Sequence, residues 1–238
     1  MVCKYNNKIK FHESDSKILY QVEDETTLVQ SFKDSVKTSK GFVNVLNRGI
    51  VNNIMSAFFM EQLSYIGIDT HFVEKINMRE QAVQIADMIP IKFCISNMAT
   101  EEYEKRFDIA GGTILPSPNL EYIYKSSSNT YINEGQIINF NWLSGEELKI
   151  IKNKVHTINA FISGVFASCG IKLVECRLEF GRIIMSDEYI IALADEISLE
   201  SCRIFDPNSD IRLGREYGDQ ENILSGYEEI INKLNLLK

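Results

Sequence analysis

Most features that would point to a function by composition alone are missing from this sequence. There is no basic excess: 25 Lys and Arg face 33 Asp and Glu, for a formal net charge of −8. A broad cationic surface for duplex nucleic acid is therefore not expected, and an anionic small molecule would need a local cationic pocket. The cysteines are few (Cys3, Cys94, Cys169, Cys176 and Cys202), odd in number and without a C-x-x-C pair. They read as buried, reduced thiols rather than as a zinc or redox motif. His12, His71 and His156 show no metal-ligand spacing and receive no role. No stretch approaches the roughly 20 apolar residues of a membrane helix, and there is no internal repeat. MVCKYNNKIKF carries no apolar run followed by a small-residue cleavage site, so a cytoplasmic protein without a membrane partner is expected.

What is present is ordinary globular material: 238 residues, 45% hydrophobic and 24% charged, enough for one large domain or two small ones. KIKFH, KILYQVE and TTLVQSFK read as short antiparallel strands broken by polar turns such as Glu23-Asp24-Glu25. From Gly49 to Ile66 the apolar period becomes helical, through Val51, Ile54, Met55 and Phe58, and Gly67 is a natural stop. HFVEKI, QAVQIAD and PIKFCIS return to strand, with Pro90 as a pivot, and the expected division is 1–89 and 90–238.

NMATEEYEKRF reads as a short exposed helix and GGTILPSPN as a loop before the strand LEYIYK. Ser144 and Glu147 have capping-box spacing ahead of Leu148, Ile151, Val155, Ile158, Ile162, Val165 and Phe166, so a long helix begins there and ends at Gly170. Two strands follow, Lys172 to Phe180 and Tyr189 to Asp195, joined by about eight residues, and an amphipathic helix through Ile223, Tyr227, Ile230 and Leu234 closes the chain. The mixture is an α+β fold with mostly antiparallel sheet.

The chemistry concentrates in the late hairpin. In VECRLEFG, alternation places Glu175, Arg177 and Glu179 on one face and Val174, Cys176, Leu178 and Phe180 on the other. The partner strand YIIALADEIS is apolar until Asp195 and Glu196, so the hairpin brings Asp195 near Glu179. Two carboxylates are what a magnesium ion needs when substrate phosphates complete its oxygen shell. A solvated sheet face with cross-strand Arg–Glu pairs accounts for the alternation more simply when it is read alone.

LVECRLEFG followed by LADEISLESCRIFD resembles the paired signature of phosphoribosylaminoimidazole-succinocarboxamide synthase, or SAICAR synthetase, a family of purine biosynthesis. GIVNNIMSAFFMEQLSYIGIDTHFVEK is similar to the family's Lys-Gly-x-x-Asn-Asn segment and following helix. MREQAVQIADMIPIKF is similar to its hinge strand and EYIYKSSSNTYINE to its tyrosine, lysine and asparagine strand. The likeness is colinear from about Lys17 to the last helix, with several motifs in order and at matching spacing.

The resemblance implies a fold of two α+β lobes with a nucleotide cleft between them. It also implies ATP-dependent amide formation between a carboxylated aminoimidazole ribonucleotide and L-aspartate, with ADP and phosphate released. Small-molecule substrates, ATP and Mg2+ are the implied partners, and homo-oligomers are common in the family. Residue by residue, the resemblance gives Glu179 and Asp195 to Mg2+ and ATP, and places Arg177 where the family has a lysine facing the reacting groups. Glu175 stands for an aspartate beside that lysine. Ser198 and Arg203 match the ribonucleotide end, and Lys125 a substrate-side lysine. Lys17 matches a lysine of the phosphate-covering loop, and Met88 to Ile91 the hinge that packs on adenine.

Departures fall at Ser14 and Asp15, where the family's loop has glycine and lysine, and at Ser96, Glu101 and Glu102, in place of arginine, glycine and serine. Ser127 falls in an acidic segment of the family, and GREYGDQ replaces a basic C-terminal segment. A second reading is a diverged paralogue that binds nucleotide or a partner without ligating.

Overall fold

The computed structural model describes residues 5–38, 41–126, 128–208, 211–214 and 233, without the side chains of 36–38 and 211–214. Three of the expected early strands form as β1 (Ile9–Glu13), β2 (Lys17–Gln21) and β3 (Thr27–Phe32), followed by a small hairpin, β4 (Ser35–Thr38) and β5 (Gly41–Asn44). Helix α1 (Arg48–Tyr65) then leads to β6 (Phe72–Lys75) and β7 (Glu80–Gln84), which complete a five-stranded sheet of order β1-β2-β3-β7-β6.

The start of α1 is fixed by a backbone that comes unusually close to the sheet. Gly49 N–H donates to Asp34 at 2.8 Å, and a Cβ on Gly49 would stand 2.5 Å from the Phe32 carbonyl oxygen. Only glycine fits there. The helix ends where Gly67 takes φ 85° and Ile68 N–H returns to the Leu63 carbonyl at 3.0 Å, a conformation that costs glycine little.

The chain changes sheets between Gln84 and Asp87, because β8 (Asp87–Met98) already belongs to the larger sheet. Pro90 therefore lies inside β8. The second unit continues through α2 (Glu101–Phe107), β9 (Ile114–Tyr124), β10 (Thr130–Ile132), α3 (Glu134–Asn139), α4 (Gly145–Ser168), β11 (Lys172–Met185), β12 (Glu188–Ala194), β13 (Cys202–Asp206) and β14 (Ile211–Gly214). The sheet order is β10-β9-β8-β11-β13-β14, with β12 paired to β11, and the named strand pairs are all antiparallel.

The capping box at Ser144 and Glu147 is present, with Ser144 N–H donating to Glu147 at 2.7 Å and Glu147 N–H to Ser144 at 3.2 Å. Ile151, Val155, Ile158, Ile162 and Phe166 of α4 are fully buried against Phe93, Ile95, Leu178 and Phe180, and Met55, Phe59 and Leu63 of α1 join the same core. Each such side chain contributes about 1.5–3 kcal/mol by leaving water, so the stripe on α4 outweighs any intrinsic helix preference.

Four local expectations are corrected. The supposed loop GGTILPSPN becomes strand from Ile114, with Pro116 and Pro118 tolerated because β10 covers only Tyr122 to Tyr124 of β9 and leaves the earlier edge unpaired. The turn between β11 and β12 is two residues, Ser186 and Asp187, with Ser186 at φ 60°. A register shift between Leu173 and Glu175 brings Leu173 into the large core cluster with Cys176, while Val174, also buried, borders a cavity instead. Cys169 is partly exposed, whereas Cys94, Cys176 and Cys202 are buried as expected. The closing helix, the GREYGDQ segment after its first glycine, Ser127 and Cys3 lie outside the described residues, Lys233 apart.

Candidate active site

Glu179 sits at the centre of the larger sheet, opposite Lys92 on β8 and Ala194 on β12. Asp195 is the next residue after Ala194, so β-pairing alone brings it to Glu179. Both acids are held by lysines. Lys125, just beyond the end of β9, donates to Glu179 Oε2 at 2.5 Å, and Lys92 Nζ lies 3.7 Å from Oε1. Lys17, the first residue of β2, pairs with Asp195 and also with Glu196 at 2.8 Å. The small sheet and the large sheet thus meet through one ammonium group.

Burial and the neighbouring Asp195 charge raise the Glu179 carboxyl above its ordinary range, against the pull of Lys125. Burial alone would also raise Asp195, but Lys17 outweighs it and holds that carboxyl below its usual value. Glu196 is raised by burial despite Lys17. Burial would depress the Lys17 ammonium, yet Asp195 and Glu196 together raise it, so Lys17 stays charged.

Around this centre the turn after β12 is tightly bonded. Ser198 Oγ–H donates to Glu196 and accepts from Glu200 N–H at 3.0 Å, and its own N–H donates to Ser201 Oγ at 3.0 Å. Arg48, 1% exposed at the start of α1, pairs with Glu200 and donates to the Ser35 carbonyl at 2.7 Å. His71 places Nε2 3.0 Å from the Asp195 carbonyl oxygen. Burial lowers its pKa to about 4, with the Asp195 charge opposing, so the ring is neutral near pH 7.

A second group lies along the same strand. Glu175 is buried between Ser96 on β8 and Arg203 on β13, with Arg177 Nε at 2.9 Å and Arg203 Nε at 3.8 Å from Oε1. Near it opens a cavity of about 250 Å³, bordered by Met98, Ala99, Glu101, Gly111, Val174 and Ile204 among others. Glu101 therefore faces a cavity, while Asp15 is exposed and Ser14 closes the turn ahead of β2 by accepting from Lys17 N–H at 3.2 Å.

The anticipated residues are thus brought together in two clusters: Lys17, Lys125, Glu179, Asp195 and Ser198 in one, Glu175, Arg177 and Arg203 in the other. Met88 is 38% exposed, but the Ile91 side chain is fully buried in the core, so position 91 can reach a ligand only through its backbone. Sequence reasoning missed Lys92, Glu196 and His71 as members. The Lys92 signal was available, since alternation in PIKFCIS sets Lys92 beside Cys94 on one face; His71 had none.

The donor chemistry suits a divalent cation on a nucleotide. Among the described residues there is no group of three acidic, His or Cys side chains able to cage a metal alone. Two carboxylates already balanced by ammonium groups are, however, the protein share that Mg2+ takes when phosphates and water supply the rest.

The family model described as SAICAR synthetase matches residues 10–222. The chain belongs to the SAICAR synthetase family. A phosphoribosylaminoimidazole-succinocarboxamide synthase of Rickettsia rickettsii is 40% identical over 232 residues, covering 95% of this chain and 98% of that one. The crystal structure of the synthase from Ehrlichia chaffeensis superposes with a TM-score of 0.91 at 37% identity, over 97% of this chain and all of that one. A SAICAR synthetase in complex with ADP gives a TM-score of 0.85 at 28% identity, over 94% and 96%. The expected α+β family fold with antiparallel sheets is thus borne out. No helix among the described residues is long and apolar enough to cross a membrane.

Proposed function

We propose that this chain is an ATP-dependent ligase of purine biosynthesis, joining L-aspartate to carboxyaminoimidazole ribonucleotide as a SAICAR synthetase. The observation that carries this is similarity to named synthases at 40% identity over 95% of this chain, combined with the lysine-paired carboxylates Asp195 and Glu179. Nothing in the comparisons favours a paralogue without ligase activity. ATP use is supported by the ADP complex of a related synthetase.

In this reading the segments 1–89 and 90–238 act as two lobes around the nucleotide. Met88 and the hinge backbone would lie against the base. Glu179 and Asp195 would hold Mg2+, which neutralises polyphosphate charge when bound. Lys17, Lys92 and Lys125 offer ammonium groups to the phosphoryl oxygens, since each already lies within 4 Å of a carboxylate whose charge the nucleotide complex would satisfy instead. Arg177, kept in place by Glu175, faces the reacting carboxylate of the ribonucleotide, and Ser198 with Arg203 binds that substrate. The amine of aspartate attacks the carboxylate once phosphoryl transfer has activated it, and orientation by these fixed groups supplies much of the rate. The cytoplasm is the expected location, a second copy of the chain the only expected macromolecular partner.

The test is ADP release on mixing the protein with Mg-ATP, the ribonucleotide and L-aspartate. Turnover requiring all three substrates, lost in Glu179→Gln, supports the reading. Nucleotide binding without ADP release would overturn it.

A further inference from the structure

Asp195 is the one proposed metal ligand that stands in a left-handed conformation, at φ 63°. Aspartate is among the few non-glycine residues that adopt this region, and at Asp195 the bonds around it hold it there. The segment that imposes it comes from between α1 and β6. His71 N–H donates to the Leu193 carbonyl at 2.9 Å and Leu193 N–H to the Asp69 carbonyl at 2.8 Å, forming a short parallel bridge along the free edge of β12. Past that bridge the His71 ring reaches the carbonyl two residues further on, that of Asp195, at 3.0 Å. A carbonyl can only accept, so Nε2 carries the hydrogen.

The segment is itself anchored on two sides. Gln84 N–H donates to the His71 carbonyl at 2.7 Å, and Lys154 on α4 joins the Asp69 carboxylate at 2.6 Å to the Ile191 carbonyl at 2.7 Å. With 5% exposure, the ring has little room to leave. We infer that His71 is a positioning residue for Asp195: its Nε2–H fixes the Asp195 peptide in the left-handed turn and so sets the direction of the carboxylate toward Lys17 and Glu179. This rests on the reading of Asp195 as a metal ligand. It assigns to a lone histidine the task that outer partners of metal ligands perform elsewhere, where their loss costs about 10–100-fold in metal affinity.

The test follows ADP binding by calorimetry across a Mg2+ titration in wild type, His71→Leu, His71→Asn, His71→Gln and Asp195→Asn. Gln can present a donor near the Nε2 position, whereas Asn is too short and Leu has none. The expected result is a Mg2+ requirement raised about tenfold in the Leu and Asn variants, restored within about twofold in Gln, with metal-free ADP binding in the three His71 variants the same as in wild type. If Leu does not fold, the Asn and Gln pair carries the comparison. Equal Mg2+ requirements in Asn, Gln and wild type, with Asp195→Asn impaired, would overturn the role of His71 alone. An unimpaired Asp195→Asn would instead remove Asp195 from the metal site and the inference with it.

Discussion

Replacing Lys17 by Met tests the electrostatics of the carboxylate cluster most directly. The substitution keeps the stem and removes the ammonium that joins β2 to Asp195 and Glu196. The Glu196 side chain is 2% exposed and that of Asp195 32%, so Glu196 bears most of the cost of losing its partner. Removing one member of a buried pair costs about 3–5 kcal/mol, which for a chain of this size lowers Tm by roughly 10 °C. The sign of the pH dependence follows from the directions of the shifts. Burial already raises Glu196 above its unfolded value and Lys17 restrains that rise. Without Lys17 both carboxyls move upward, so the folded state binds protons more readily than the unfolded chain. The penalty is then greatest in mild alkali and shrinks as pH falls and the orphaned acids protonate. Urea denaturation at about pH 8 and about pH 5 reads this directly, with a penalty expected to drop by half or more between them. The same penalty at both values, or one below about 1 kcal/mol at the higher pH, would refute the description of Lys17 as the counter-charge of the buried Glu196.

Gly49→Ala places a methyl 2.5 Å from the Phe32 oxygen, and chemical denaturation should show a loss of about 1–3 kcal/mol; a neutral substitution would mean that α1 can move away from the sheet. Burial would raise the Glu147 carboxyl, but Arg182 and the Ser144 cap hold it at about 2. Its contribution to stability is therefore complete above the ordinary carboxylate pKa and is lost as pH falls toward 2, a loss that Glu147→Gln should remove from the acid limb of the denaturation profile. The Cys176 thiol, 3.5 Å from Cys202, is pushed well above its usual pKa by that contact and by burial. Native-state alkylation followed by mass spectrometry should modify Cys169 well before Cys94, Cys176 or Cys202, and early labelling of Cys176 would contradict the packing.

Regular elements were legible because their signals are local. The Ser144 capping box and the stripe from Leu148 to Phe166 specify α4 without reference to the rest of the chain. Pairing of β11 with β12, and hence the approach of Asp195 to Glu179, followed from two apolar runs that could only lie side by side. What could not be read were contacts between segments far apart in sequence. Lys17 lies 178 residues from Asp195 and His71 124, and neither a lone lysine at the start of a strand nor a lone histidine states its partner. Pro116 and Pro118 misled for a related reason: a proline stops a strand only if the missing N–H was needed, and that depends on where β10 ends.

The departures at Ser96, Glu101 and Glu102 show why lost charges cannot be summed one by one. The resemblance puts an arginine at position 96, which here is cross-strand to Glu175. Glu175 already has Arg177 at 2.9 Å and Arg203 at 3.8 Å. A third guanidinium at 96 would crowd two existing ones, and like charges directly opposed destabilise a sheet. The exchange of lysine for arginine at 177 therefore belongs with the serine at 96: one longer, forked cation on β11 takes over the pairing with Glu175 while β8 contributes only a small hydroxyl. Restoring Ser96→Arg alone should then weaken folding, whereas the double change Ser96→Arg with Arg177→Lys should recover most of the loss. A double-mutant cycle by urea denaturation reads the coupling, expected at about 0.5–3 kcal/mol between the two sites, and strict additivity would mean that positions 96 and 177 do not interact through Glu175.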